Sequence, residues 1–155
     1  MFAHLTVVTV WLAMLAWTSA IWSRSKAAWT AAFALYIVHI LSAYESHYRW
    51  SHEVALSETA RQTAEVTGWN SGIGLYFNYA FAAILAVDLA FLWFRDRRPF
   101  PRFVDGLVFF MLLNGAVVFG NGVVRFYGAI LCAAIAAAWI LRARGNSSPI
   151  PSRPR

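Results

Sequence analysis

Residues that could take part in chemistry are concentrated in one polar stretch, Glu45–Gly72, and in His39 just before it. Together they hold three of the four histidines and four of the seven acidic residues, between long apolar runs. Imidazole and carboxylate groups are ligands of zinc, copper and non-haem iron. We therefore predict an outward-facing site for a divalent transition metal, formed by His39, His47, His52, Glu45 and Glu53.

The spacing of the histidines requires a break in the backbone between them. A zinc-protease helix of the form His-Glu-x-x-His would need a second histidine where Leu56 stands, so that motif is absent. His47 and His52 are separated by about 140° on a continuous helix, and they can converge only if the helix is interrupted. Ser51 can supply the interruption by capping a new helix from His52 to about Val66, so we predict a cap helix across the bundle mouth.

Two further interpretations of the histidines stay open. His4 and His39, on neighbouring apolar segments, could supply two axial imidazoles to haem b near the outer surface. Alternatively the segment 45–72 is a solvated amphipathic cap, in which the histidines and the pairs Glu45–Arg49 and Glu58–Arg61 face water. The spacing does not decide between a cofactor and a solvated surface.

The rest of the chain must position these groups in a bilayer. With 60% hydrophobic, 17% aromatic and only 13% charged residues, the sequence is too apolar for a soluble domain of 155 residues. The net charge of +6 lies in short clusters between apolar runs, without the interleaved stacking residues of a nucleic-acid surface. These clusters indicate anchoring at membrane headgroups and exclude nucleic acid as a partner.

Apolar runs predict five membrane spans, since each is long enough to cross a hydrocarbon core of about 30 Å. The spans cover residues 2–22, 27–44, 73–94, 103–119 and 123–141. The last two are separated by the turn at Gly120-Asn121-Gly122, because one helix over 103–141 would reach about 58 Å. The predicted fold is an all-α polytopic membrane bundle in one domain, 1–144, with an outer cap at 45–72 and a disordered basic tail at 145–155.

Charge distribution predicts the orientation. Five spans place ten of the thirteen basic residues on one side: Arg24, Lys26, Arg95, Arg97, Arg98, Arg102, Arg142, Arg144, Arg153 and Arg155. The positive-inside rule makes that side cytoplasmic, so the N-terminus and the cap are outside and the C-terminus is inside. We expect the bacterial inner membrane as the location, and anionic headgroups of the inner leaflet as partners of the arginines.

Polar residues within the spans are a second candidate set. Asp88 should face the bundle, either paired with Arg95, which lies two turns further along the same helix face, or acting as a proton or ion site. Asn78, Asn114 and Arg125 could line a polar pocket that opens toward the cap, although hydrogen bonding between helices explains such residues without a ligand.

Asp105 has a more ordinary interpretation, because it lies in the first turn of a span beside Arg102, where a carboxylate meets the positive end of the helix dipole.

Three classes of function follow from these patterns. The first is the metal or haem site, a binding or redox module. The second is a structural or assembly subunit, with a membrane protein or a second copy as partner, favoured by the small residues Gly128, Cys132 and Ala136 on one helix face. The third is a small proton-coupled transporter that uses Asp88. The sequence contains no nucleotide-binding, serine-hydrolase or zinc-ribbon motif and does not decide whether the protein is an enzyme.

Overall fold

The computed structural model describes residues 2–146, of which 87% are helical, and no β-strand occurs in that range. The prediction of an all-α fold is therefore confirmed. The α-helices are α1 (Phe2–Ser23), α2 (Lys26–Ala43), α3 (His52–Thr67), α4 (Ile73–Phe94), α5 (Pro101–Leu112) and α6 (Gly122–Asn146). Two π-helical segments, Tyr44–Tyr48 and Leu113–Val118, extend α2 and α5.

Five of these helical stretches are long and apolar enough to cross a membrane, as the sequence predicts. They are His4–Ser23, Lys26–Tyr48, Ile73–Phe94, Pro101–Val118 and Gly122–Gly145. These five apolar helices are compatible with a small membrane protein built as a helical bundle. Its orientation, its membrane and its division into domains stay predictions. Of the predicted tail, Gly145 and Asn146 belong to α6, and residues 147–155 lie outside the described part of the chain.

Local sequence explains where several helices begin and end. Ser25 caps α2 by accepting a hydrogen bond from the amide of Ala28, and Pro101 occupies the first turn of α5, where its missing N–H costs nothing. Ser51 caps α3 in the same way through the amide of Val54, and Gly68 ends that helix with a left-handed φ of 77°. The predicted interruption before His52 is therefore present.

The core runs through the bundle and takes buried residues from α1, α2, α4, α5, α6 and the second π-helical segment. The rings of Trp17 and Tyr36 both contact Phe81, at centroid distances of 5.6 and 5.3 Å, with steep interplanar angles. Edge-to-face pairs of this kind stabilise a core beyond the burial of their area. Helix α1 packs most extensively against α2 on one side and contacts α6 and α5 on another, while α4 contacts α2, α3 and α5.

The two ends of the bundle differ in chemistry. At one end, here called the arginine-rich end, Arg142 donates to the backbone carbonyls of Ile21 and Trp22, and Lys26 forms an ion pair with Asp96. The contacts join the C-terminal part of α6 to the last turn of α1, and the start of α2 to the α4–α5 connection.

At the opposite, histidine-bearing end, α3 packs against α4. A Cβ at Gly72 would lie 2.6 Å from the Leu56 side chain, so the close approach of α3 to the start of α4 depends on a residue without a side chain. The position of α3 outside the membrane stays a prediction.

Candidate functional site

The predicted metal ligands are distributed over separate contacts. His47 and Glu53 are exposed, and Glu45 accepts a hydrogen bond from Trp50 Nε1 at 2.5 Å. Within residues 2–146, no group of three or more His, Cys, Asp and Glu side chains is arranged to hold one metal ion. The structure therefore gives no support to a metal site that combines His39, His47 and His52 with these carboxylates.

His39 ties α2 to α1. Its Nδ1 lies 2.8 Å from the backbone carbonyl oxygen of Thr6, and because a carbonyl can only accept, Nδ1 carries the proton. The Thr6 hydroxyl donates to Ser42 at 3.1 Å in the same helix contact. His4 is exposed near the start of α1 and has no described contact with His39, so the haem site stays a prediction. The observed role of His39 is hydrogen bonding between helices.

His52 lies in a cluster of tyrosines. Its Nδ1 is 3.0 Å from the hydroxyl of Tyr79, its Nε2 is 3.5 Å from the hydroxyl of Tyr76, and Tyr79 also hydrogen-bonds Tyr44. The cluster joins the first π-helical segment, α3 and α4, so it fastens α3 to the bundle. The sequence did not reveal this cluster, since nothing in the spacing links Tyr44, Tyr76 or Tyr79 to His52.

A polar cleft of about 260 Å³ separates the first π-helical segment from α3. Its lining residues are His47, Tyr48, Val54, Glu58 and Gln62. Hydrogen bonds from Arg61 and Gln62 lower the pKa of Glu58 to about 2, so this carboxylate is anionic. The cleft offers one imidazole, that of His47, and one carboxylate, that of Glu58, which already binds Arg61. These are fewer ligands than a metal ion needs.

At the arginine-rich end, Arg98 joins two carboxylates. Its Nε donates to Asp88 at 2.6 Å and its Nη1 to Asp105 at 2.7 Å, while the guanidinium carbon stands 3.9 Å from the centre of the Trp29 ring. The side chains of Asp88, Arg98 and Asp105 are 2%, 16% and 14% exposed. These residues, with Trp29, connect α2, α4 and α5.

The partner predicted for Asp88 is therefore wrong. Arg95 is exposed, and Arg98 forms the ion pair with Asp88 instead. Asp105, for which the sequence predicts an interaction with the helix dipole beside Arg102, also pairs with Arg98, and Arg102 is exposed. Helical spacing favoured Arg95, but α4 ends at Phe94 and Asp96 adopts a left-handed φ of 55°, so the chain turns back and Arg98 returns toward the bundle.

The other three candidate polar residues of the spans lie on three different helical segments. Asn78 is exposed on α4, and Asn114 is half-buried in the second π-helical segment. Arg125 is exposed and donates to the backbone carbonyl of Gly120 at 3.1 Å. Among the described residues, no hydrogen bond joins any two of the three, so the predicted polar pocket stays a prediction.

No protein-family model, curated protein or solved structure matches the chain. The fold and composition define the class as a small all-α protein with five helices long and apolar enough to span a membrane. Function must therefore be argued from the geometry of this chain.

Proposed function

We propose that the protein is a structural subunit of a membrane assembly and that it associates with a second copy of itself through α4. The observation that supports this proposal is Asn78, a polar amide exposed within a membrane span. The metal and haem hypotheses lack a comparable observation, because their ligands lie in separate contacts.

Asn78 begins a row of small residues along α4. Ala82, Ala86 and Ala90 follow it at intervals of four, and all but the half-buried Ala82 are exposed. A row with this spacing forms one ridge of a helix, and small residues on a ridge let two membrane helices approach closely.

The comparable row of small residues on α6 packs against other helices of the same chain. Gly128 and Cys132 are both buried, and a Cβ at position 128 would lie 2.4 Å from the Cβ of Ala116. The row on α4 has no such cover along most of its length, which makes α4 the better candidate for an external helix contact.

The amide of Asn78 also suggests what covers the row. Five residues after Ile73, it lies about 7–8 Å along the helix from the start of the span, where hydrocarbon offers no hydrogen-bond partner. It makes no hydrogen bond to the described residues. An amide both donates and accepts, so two copies related by a two-fold axis can pair Asn78 with Asn78. A second copy of the chain can therefore supply the hydrogen-bond partner that the Asn78 amide needs.

Cysteine crosslinking tests the proposal, because the chain has a single cysteine, Cys132, which is buried. In a Cys132→Ala background, Ala86→Cys should form a disulfide-linked dimer when the full chain is oxidised in phosphatidylcholine vesicles. The matched control is Ala34→Cys, at an exposed alanine of α2, which should stay monomeric.

Removal of the amide gives a quantitative test. One hydrogen bond between membrane helices contributes about 1–2 kcal/mol in model peptides, so Asn78→Leu should raise the dimer dissociation constant about 5- to 30-fold. Phe77→Leu, at the exposed neighbouring position, is the control and should have little effect. Equal crosslinking at positions 34 and 86, or a monomer at every lipid-to-protein ratio, would contradict association through α4.

A further inference from the structure

The cluster of Asp88, Arg98 and Asp105 at the arginine-rich end has an unequal number of opposite charges. Two carboxylates share one guanidinium, so the cluster carries a net charge of −1 when all three groups are ionised. No other ion pair within the described part of the chain involves any of these residues. An uncompensated charge with so little exposure to water is strongly unfavourable.

The surroundings of Asp88 supply no second cation. From α5 it faces Asp105, and from the α4–α5 connection it faces Arg98. From α2 it faces Trp29, whose ring covers the guanidinium and whose neutral indole N–H also interacts with the Asp88 carboxyl group. Lys26, also on α2, forms its ion pair with Asp96. The excess negative charge is therefore not neutralised by a described basic residue.

One atom identifies where compensation is needed. The Asp88 side chain is 2% exposed, and its Oδ1 is buried and accepts no hydrogen bond from a described residue. Burial of an anionic carboxylate oxygen without a hydrogen-bond partner costs much more free energy than burial of a neutral hydroxyl without one. The addition of one proton converts the anionic oxygen into a neutral hydroxyl and makes the whole cluster neutral.

We propose that Asp88 and Asp105 together hold one exchangeable proton beside Arg98, so that the arginine-rich end of the bundle contains a proton-binding site. A carboxylate takes the proton from hydronium and becomes a carboxylic acid, with release of one water molecule and no transfer of electrons. Because the two carboxylates bind the same guanidinium, the proton belongs to the pair and not to one residue.

A second arrangement makes a different prediction. Nη2 of Arg98 is also buried without a hydrogen-bond partner in the described residues, so an ordered water molecule could accept from Nη2 and donate to Asp88 Oδ1. Such a water would satisfy both atoms but would leave the charge of −1 unchanged. The two arrangements differ in whether a neutral carboxylic acid is present.

Infrared spectroscopy of the full chain in lipid vesicles at neutral pH measures this directly, through the carbonyl stretch of a protonated carboxyl group. We expect a band that corresponds to one carboxylic acid per chain and shifts in heavy water. Asp105→Asn should abolish it, although Asp88 is retained, because one carboxylate and one guanidinium then balance. A structural ion pair alone would not link the protonation of Asp88 to the residue at position 105.

Asp96→Asn is the matched control, because Asp96 is an exposed aspartate of the same end that pairs with Lys26. The band should persist at full intensity in this variant. Absence of the band from the folded wild-type protein would overturn the proposal and favour the bridging water, and this measurement does not depend on whether any variant folds. Persistence of the band in a folded Asp105→Asn protein would overturn it as well.

Discussion

Gly128 lies directly against Ala116, so that a Cβ added to the glycine would stand 2.4 Å from the Cβ of the alanine. The contact brings α6 against the second π-helical segment, Leu113–Val118. A Cβ at that distance must displace its neighbour, and both elements are buried here. The two small residues thus set how closely the last two spans pack.

Gly128→Ala should destabilise the bundle by about 1–3 kcal/mol, the usual cost of overpacking a well-packed contact. Reversible unfolding of the purified protein in mixed micelles measures the change. Gly106→Ala is the control, because a Cβ there meets nothing within 4 Å and replaces a helical glycine, so stability should stay equal or rise slightly. An equal response of the two variants would contradict the assigned contact.

Arg98→Gln should be the most destabilising single change at the arginine-rich end. It keeps a polar side chain, although a shorter one, and leaves Asp88 and Asp105 without their common cation. Removal of one partner from a buried ion pair costs about 3–5 kcal/mol, and the partial exposure of Arg98 favours the lower end of that range.

The same unfolding assay, applied to Arg97→Gln, provides the comparison for that change. Arg97 is exposed and one residue away, so its loss should alter stability by less than about 0.5 kcal/mol. If the two arginines prove equivalent, the cluster contributes nothing to the fold.

Local signals in the sequence predicted the elements, and tertiary contacts determined the site. The length of the apolar runs, the turn at Gly120–Gly122 and the cap at Ser51 are local, and the helices follow them closely. The partner of Asp88 is not local, because it depends on the backbone reversal at Asp96. The same holds for His52, whose hydrogen bond to Tyr79 crosses from α3 to α4.

The N-cap of α3 gives a prediction for the histidine-bearing end. Ser51→Ala removes the hydroxyl that accepts from the Val54 amide and should weaken α3 by about 1 kcal/mol. Amide hydrogen exchange should show faster exchange in the first turn of α3 and unchanged protection in α4. Ser57→Ala, inside the same helix, is the control, and protection lost to the same degree in both would show that capping is not the cause.

Acid should loosen α3 through Glu58. Hydrogen bonds from Arg61 and Gln62 lower the pKa of this carboxyl from 4.5 to about 2 in the folded chain. Because the pKa is lowered, the ionised carboxylate stabilises the folded chain fully above pH 4.5, and this stabilisation is lost as the pH falls toward 2. The effect should be small, because the Glu58 side chain is 33% exposed and water screens the pair.

The measurement is amide exchange in α3 between pH 4.5 and 2, corrected for the intrinsic pH dependence of exchange. Protection should fall across this interval in the wild type. In Glu58→Gln, which cannot ionise, protection should equal that of the acidified wild type and should not depend on pH. Glu53→Gln, on the same helix but without a bond to Arg61, should keep the wild-type dependence. A wild-type profile that is flat between 4.5 and 2 would mean that the arginine does not hold Glu58 in solution, and the polar cleft beside His47 would then lack its fixed negative charge.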